Sequence, residues 1–148
     1  MAEDKHNDAM RIDVDLVRQL AQLLDDTQLT EIEVEDGGRT QLFFDNSKFF
    51  AFVDKCREAG ITVPIVPGLK PLVTKRQLSI LPQIFHVDIP DTLAIEVLKC
   101  KDNAEVRQVG IEWCIQQSKE LKDAGVPVLH YYSMGKSKNI YEIASAIF

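Results

Sequence analysis

The sequence predicts an α/β fold in which a few parallel strands are buried between helices. From residue 40 onward the predicted elements follow the order β-α-β-α-α-α-β-α. The strands are short apolar runs without alternation, which is typical of parallel strands covered by helices on both faces. A closed (β/α)₈ barrel needs about 250 residues. The chain has 148 residues, so the sequence predicts at most part of such a barrel.

A helix–strand leader is predicted before these elements, in residues 1–39. Its helix carries an apolar stripe that begins after Asp13 and ends at Asp25-Asp26. The stripe consists of Val14, Val17, Ala21 and Leu24, widened by Leu16, Leu20 and Leu23. Residues 30–36 then alternate between apolar and acidic side chains, as in a strand with one solvated face. Gly37-Gly38 predicts a turn, so this strand is expected to form a hairpin that covers one edge of the incomplete sheet.

Two strand–helix units are predicted next. Residues 40–44 form a buried strand, and Asp45-Asn46 caps a helix over residues 47–59. Residues 61–67 form the second buried strand, and residues 68–71 form the loop that follows it.

The remaining elements are helices around one further strand. A short helix over 74–80 is limited by Pro82, because proline lacks the N–H that a helix interior requires. Helices over 90–99 and 103–124 follow, then a strand over 126–132 with its loop at 133–136. The long helix is expected to bury Val106, Gly110, Trp113, Gln117 and Leu121 on one side, and the last helix to bury Ile140, Ile143, Ala144 and Ile147.

Composition and charge exclude several functional classes. The hydrophobic fraction of 45% supports a packed core, and the net charge of −6 argues against binding to nucleic acid or to a membrane surface. Residues 1–40 hold eleven acidic and four basic side chains, a net charge of −7, whereas the remainder carries +1. We find no signal peptide and no membrane span. Three cysteines without metal-ligand spacing predict reduced thiols in a cytoplasmic protein without a metal site.

An ordered set of motifs from residue 40 onward resembles the methylenetetrahydrofolate reductase family. The set comprises Thr-Gln-Leu-Phe-Phe-Asp-Asn (40–46), Phe-Val-Asp-Lys-Cys-Arg-Glu-Ala-Gly-Ile (52–61), Val-Pro-Ile-Val-Pro-Gly (63–68), Val-Gly-Ile-Glu-Trp (109–113) and Gly-Val-Pro-Val-Leu-His-Tyr-Tyr (125–132). The resemblance implies a partial (β/α)₈ TIM barrel, residues 40–148, that contains the last three strands and their helices. It also implies FAD as cofactor, NADH or NADPH as reductant, and reduction of 5,10-methylenetetrahydrofolate to 5-methyltetrahydrofolate in one-carbon metabolism and methionine biosynthesis.

The resemblance also implies five substrate-binding residues near the carboxyl ends of the strands. Gln41 matches a glutamine that hydrogen-bonds the pterin ring of folate, and the alternative is a core amide bonded to backbone. Gln77 and Leu81 share a helix face and match folate or nicotinamide contacts, and the alternative is a surface amide and a core leucine. Tyr132 and Lys136 match positions close to the site, and the alternative is an interface tyrosine and a solvated lysine. His130 is expected to be a packed core histidine.

The family's catalytic glutamate and most of its FAD contacts belong to earlier strands, which the sequence does not contain. No residue is therefore assigned as catalytic, and we expect the isolated chain to be inactive. The expected partners are a folate substrate and either a second copy of the chain or a complementing barrel fragment.

The leader resembles a different family. Arg-Ile-Asp-Val-Asp-Leu-Val-Arg-Gln-Leu (11–20) followed by Leu-Thr-Glu-Ile-Glu-Val-Glu (29–35) is similar to the N-terminal segment of the biotin carboxyl carrier protein of acetyl-CoA carboxylase. The biotin-accepting Met-Lys-Met motif is absent. This resemblance implies a domain boundary near residue 39. The alternative functions are an interaction module that contacts biotin carboxylase through the leader, or a chimeric or truncated product.

Overall fold

The structure, a computed structural model, describes residues 14–27, 32–33, 39–40 and 42–148. Its elements in chain order are α1 (Val14–Thr27), β1 (Ile32–Glu33), β2 (Arg39–Thr40), α2 (Asn46–Glu58), β3 (Gly68–Leu69), α3 (Gln77–Phe85), α4 (Asp91–Lys99), α5 (Asn103–Asp123), β4 (His130–Tyr131) and α6 (Ser137–Ile147). The α/β class is confirmed, although helices dominate and each described strand has two residues.

The predicted hairpin is present between β1 and β2. The two strands are antiparallel, with Ile32 opposite Thr40 and Glu33 opposite Arg39. Within the described residues they form a sheet of their own, separate from the sheet of β3 and β4. The expectation that the hairpin covers an edge of the parallel sheet is therefore wrong for this part of the chain.

The strand predicted over residues 40–44 is also different in the structure. Leu42, Phe43 and Phe44 are buried but are not part of a strand. The Phe43 carbonyl accepts a hydrogen bond from Gln117 Nε2 at 3.3 Å, and the Phe44 carbonyl accepts one from Trp113 Nε1 at 3.0 Å. Because two side chains of α5 satisfy these carbonyl groups, the segment stays hydrogen-bonded without a strand ladder there.

The parallel sheet forms later along the chain than predicted. β3 and β4 are parallel, as expected, but β3 lies at residues 68–69 instead of 61–67, and β4 is shorter than residues 126–132. Pro64 and Pro67 lack the N–H that a ladder needs. The Pro67 carbonyl accepts from the His130 N–H at 3.0 Å, and Val66 forms a single bridge.

Four of the five predicted helices after residue 40 match the structure closely, and α3 differs. The short helix was expected to end before Pro82, yet α3 extends to Phe85 with Pro82 inside it. Proline removes one N–H that would bond the Leu78 carbonyl. Burial of Leu81, with Leu78 and Phe85 packed beside it, accompanies this loss, so tertiary packing outweighs the local preference.

The leader helix α1 packs through a different side from the one expected. Leu20 and Leu23 are buried and Leu16 packs against them, whereas Ala21 is exposed. The buried face of α1 is therefore formed by the leucines, which were expected only to widen the apolar stripe. This face contacts α2 and belongs to the same core as Phe43 and Phe49.

The buried side chains form two core clusters. The first core cluster contains Leu20, Leu23, Phe43, Phe49, Phe52, Cys56, Ile61, Ile65, Leu69, Ile111, Cys114, Leu121 and Ile143. The second core cluster contains Leu42, Phe44, Leu72, Leu81, Val87, Leu93, Val97, Cys100 and Val106. Segment 42–44 and helix α5 contribute to both clusters and lie between them. All three cysteines are free and buried.

Helix α5 approaches the chain after β3 very closely. A Cβ atom built on Gly110 would lie 1.9 Å from the Leu72 carbonyl oxygen and 2.8 Å from the Leu72 nitrogen. Both are backbone atoms, so a side-chain rotation cannot make room. Glycine at position 110 therefore fixes the distance between α5 and the loop that leaves the parallel sheet.

No helix in the described part of the chain is long and apolar enough to cross a membrane.

Replacing Gly110 with alanine is expected to destabilise the fold by about 3 kcal/mol, because the new methyl group overlaps the Leu72 backbone. Helix propensity alone would give the opposite sign, a gain of about 1 kcal/mol. Urea unfolding followed by circular dichroism measures the change. The matched control is Gln108→Ala on the exposed side of α5, expected to stay within about 0.5 kcal/mol. A stabilised Gly110→Ala variant would contradict the close approach.

Replacing Trp113 with phenylalanine is expected to cost about 1–2 kcal/mol, because the buried Phe44 carbonyl loses its donor. The control is Tyr141→Phe, which changes another polar aromatic residue that is 74% exposed, and it should be neutral. Thermal unfolding by circular dichroism compares the two variants. Equal stabilities would show that the indole hydrogen bond does not support segment 42–44.

Candidate functional site

The carboxyl ends of β3 and β4 lie side by side and form the candidate site. Gly68 is opposite His130 and Leu69 is opposite Tyr131 in the parallel register. The Tyr132 N–H continues this pairing by donating to the Leu69 carbonyl at 2.9 Å. In barrels of parallel strands, the binding groups lie at this edge. Lys70 and Tyr132, the first residues after the two strands, are therefore placed where a substrate would be bound.

Lys70 is a further candidate site residue, which was not among the five expected contacts. It directly follows β3 and is only 6% exposed. Burial lowers the pKa of Lys70, and the positive charge of Lys136 lowers it further. Among the described residues no carboxylate pairs with it. The signal in the sequence was a lysine between an apolar strand and Pro71, in the loop where barrel enzymes bind their ligands.

Lys136 is held at this edge by a tight turn after β4. Met134 and Gly135 both adopt positive φ values, 49° and 80°. The Lys136 N–H then donates to the Ser133 carbonyl at 3.0 Å and the chain enters α6. The side chain is exposed, but its charge acts on buried Lys70. The structure thus brings two predicted site residues, Tyr132 and Lys136, to the same edge as Lys70, which was not predicted.

Tyr132 and His130 pack against each other at the end of β4. Their ring centroids are 4.6 Å apart and the planes meet at 67°. Both side chains are half-buried. His130 therefore packs against Tyr132 but is only half-buried, so the expected core position is not found. Among the described residues no group of three or more His, Cys, Asp or Glu side chains could hold a metal ion.

Gln77 and Leu81 lie on one face of α3, but both have structural partners. Gln77 Oε1 accepts from the backbone N–H groups of Val73 and Thr74, at 2.7 and 3.2 Å. This arrangement fixes the loop that follows β3. Leu81 is 3% exposed and belongs to the second core cluster. Gln41, the predicted pterin contact, lies outside the described residues.

This edge suits an anionic group. It presents two ammonium groups, one buried and one exposed, beside an aromatic phenol. A phosphate or a carboxylate would compensate the charge of Lys70, which a buried site otherwise disfavours. The residues present therefore fit the charged portion of a dinucleotide or of a folate.

Comparison with known proteins gives consistent matches. A sequence model described as "Methylenetetrahydrofolate reductase" matches residues 19–147. The "Probable methylenetetrahydrofolate reductase (NADPH)" of Caenorhabditis elegans is 36% identical over 111 residues, which cover 73% of this chain and 17% of that protein. The "Methylenetetrahydrofolate reductase (NADH) 1" of Zea mays is 36% identical over 101 residues, covering 68% of this chain and 17% of that protein. The "5,10-methylenetetrahydrofolate reductase" of Escherichia coli is 32% identical over 109 residues, covering 73% and 37%.

The chain thus spans between about a sixth and about two fifths of the length of these relatives. The family match begins inside α1, within the predicted leader, and ends at the last residue of α6. On these matches, and with the parallel β3–β4 edge in place, the chain belongs to the methylenetetrahydrofolate reductase family.

Proposed function

We propose that this chain supplies the C-terminal, substrate-side part of a methylenetetrahydrofolate reductase barrel. The parallel edge of β3 and β4, with Lys70, Tyr132 and Lys136 at its carboxyl end, is the observation that carries the proposal. The complete enzyme would reduce 5,10-methylenetetrahydrofolate to 5-methyltetrahydrofolate in the cytoplasm, as part of one-carbon metabolism and methionine biosynthesis. Gln41, Gln77, Leu81, Tyr132 and Lys136 are the proposed folate contacts.

Lys70 and Lys136 are proposed to bind the anionic end of the substrate. Each ammonium group donates hydrogen bonds and accepts none, so a carboxylate is a suitable partner. Binding an anion would also relieve the repulsion between the two lysines. The folate glutamate carries such carboxylates, which makes this pair an orienting contact distant from the reacting carbon.

FAD is proposed as the cofactor of the complete barrel, with NADH or NADPH as reductant. Bound flavin would supply hydride to the substrate. In this chain the residues at the β3–β4 edge fit one anionic group of such a cofactor, and no catalytic acid is assigned. We infer that the chain alone does not catalyse the reaction, and that a second copy or a complementing barrel fragment completes it.

A division into residues 1–39 and 40–148 remains a proposal. The alternative function, an interaction module that contacts biotin carboxylase through a leader of carrier-protein type, is less well supported. Leu20 and Leu23 of α1 are buried against α2, so the described apolar face of the leader helix is not available for another protein. Co-purification with a carboxylase would favour this alternative.

Purified chain is expected to show no saturable change in flavin absorbance and no rise in melting temperature when FAD is added. A ligand that binds the folded state must stabilise it, so thermal shift and absorbance should agree. The complete Escherichia coli enzyme serves as the positive control. A saturable shift, or measurable reduction of methylenetetrahydrofolate by the chain alone, would refute the fragment proposal.

Replacing Lys70 with methionine is expected to raise the melting temperature at pH 7, by about 3 °C for each kcal/mol gained. The wild-type chain is destabilised below the lowered folded-state pKa of Lys70, because both folded and unfolded states then carry the charge. This penalty decreases as the pH rises from the folded-state pKa and disappears near 10.5, the value in the unfolded chain. The difference in melting temperature between the variant and the wild type should therefore decrease toward pH 10.

The matched control is Lys101→Met, which changes an exposed lysine and should leave the melting temperature unchanged at either pH. If Lys70→Met raises the melting temperature equally at pH 7 and pH 10, packing rather than charge limits stability at this position.

A further inference from the structure

Lys70 is a buried amine without a partner of opposite charge. Its side chain is 6% exposed, directly after the carboxyl end of β3. Among the described residues no group hydrogen-bonds Lys70 Nζ, and this atom is not one of those that lack both a hydrogen-bond partner and accessible surface. Lys70 Nζ therefore keeps a small contact with solvent, which leaves it open to a small molecule.

The backbone on both sides of Lys70 is fixed. The Leu69 carbonyl, directly before it, accepts from the Tyr132 N–H at 2.9 Å. Leu72, two residues after it, is fully buried, and its backbone is in close contact with Gly110 of α5. Because these contacts hold the segment in place, the amine stays at the β3–β4 edge.

The surroundings of Lys70 favour its neutral amine form. Burial lowers the pKa of Lys70, because the charged form loses hydration, and the charge of Lys136 lowers this pKa further by repulsion. A neutral amine has a lone pair that attacks electrophiles, whereas the ammonium ion has none. Lys70 therefore combines a nucleophilic nitrogen with a neighbouring cation.

The same surroundings indicate which electrophile fits. CO₂ is small and uncharged, so it can enter a site that is almost closed and positively charged. Its adduct, a carbamate, is an anion next to Lys136, so repulsion between the two side chains becomes attraction. An aldehyde is larger, and the protonated imine that it forms would keep the positive charge. An acetyl group would remove the charge of Lys70 but would leave Lys136 without an anionic partner.

We propose that Lys70 is a carbamylation site, at which CO₂ adds to Nζ and the resulting carbamate pairs with the ammonium group of Lys136. The lone pair of Nζ forms a bond to the carbon of CO₂. One carbon–oxygen π bond breaks, and its electrons remain on oxygen as the carbamate charge. One proton leaves the nitrogen for water, so amine and CO₂ give carbamate and a proton, without an oxidant or a reductant. The carbamate oxygens then accept hydrogen bonds from Lys136.

The carbamate would use the same lysine pair that is proposed to bind the folate carboxylates. CO₂ and an anionic substrate are therefore alternative partners of one site, and each would exclude the other. This competition rests on the proposed function. Carbamate formation itself does not, because it requires only the amine of Lys70 and the charge of Lys136.

The experiment adds isotopically labelled bicarbonate, which equilibrates with CO₂, to the complete chain. Carbon NMR detects the labelled carbamate. Triethyloxonium ion then converts the carbamate to a stable ethyl ester, and peptide mass spectrometry locates the ester in the sequence. The adduct at Lys70 is expected to exceed that at an exposed lysine, Lys101, by at least about fivefold. Unfolding in guanidinium chloride should remove this preference, since Lys70 then loses its burial.

Four variants separate the contributing groups. Lys70→Met should remove the labelled signal that belongs to this site, whereas the matched control Lys101→Met should retain it. Lys136→Met should decrease the adduct at Lys70 by at least about threefold at low ionic strength, because the counter-ion of the carbamate is lost. Its matched control is Lys138→Met, an exposed lysine of α6, which should leave the adduct unchanged. Circular dichroism confirms that each variant is folded.

Three results would overturn the proposal: no labelled adduct at Lys70 in the folded wild-type chain, an equally abundant adduct in the unfolded chain, or an unchanged adduct in folded Lys136→Met. The outcome of the FAD experiment has no bearing on these readouts, and the absence of a carbamate has none on the family assignment.

Discussion

The hydrogen bonds from α5 to the carbonyl groups of Phe43 and Phe44 are the constraint on which the rest of this structure depends. Segment 42–44 is buried, so its backbone polar groups need partners. Trp113 and Gln117 provide donors to two of them, at 3.0 and 3.3 Å. A long helix thereby takes part of the role that a neighbouring strand has in a complete sheet.

This arrangement determines how the two core clusters are divided. Consecutive side chains of segment 42–44 point in opposite directions, so Phe43 enters the first core cluster while Leu42 and Phe44 enter the second. Helix α5 follows the same division, with Val106 in the second cluster and Ile111 in the first. Gly110 lies between those two residues. Because it has no side chain, α5 can approach the backbone of Leu72, a residue of the second core cluster.

The sequence was most informative where helical periodicity and end signals coincide. The bounds of α4 and α5 follow from Pro90, Asp102 and Gly125, because caps and glycine act locally. Strand positions were less predictable, since a ladder depends on a distant partner. Pro82 shows the same limit for helices, because burial of Leu81 overrides a local rule. In the site, Lys136 could be recognised by family resemblance. Lys70 had only a positional signal, its place between an apolar strand and Pro71, and its burial became known from the structure.

The positions of the three thiols have a consequence for the dynamics of the chain. Cys56 and Cys114 belong to the first core cluster and Cys100 to the second. Burial raises the pKa of Cys114 to about 12 and also raises that of Cys56, so neither thiol forms the reactive thiolate readily in the closed protein. Alkylation at each position requires local opening. The natural sequence thus contains a separate chemical reporter in each half of its interior, and the relative rates of labelling reveal which half opens first.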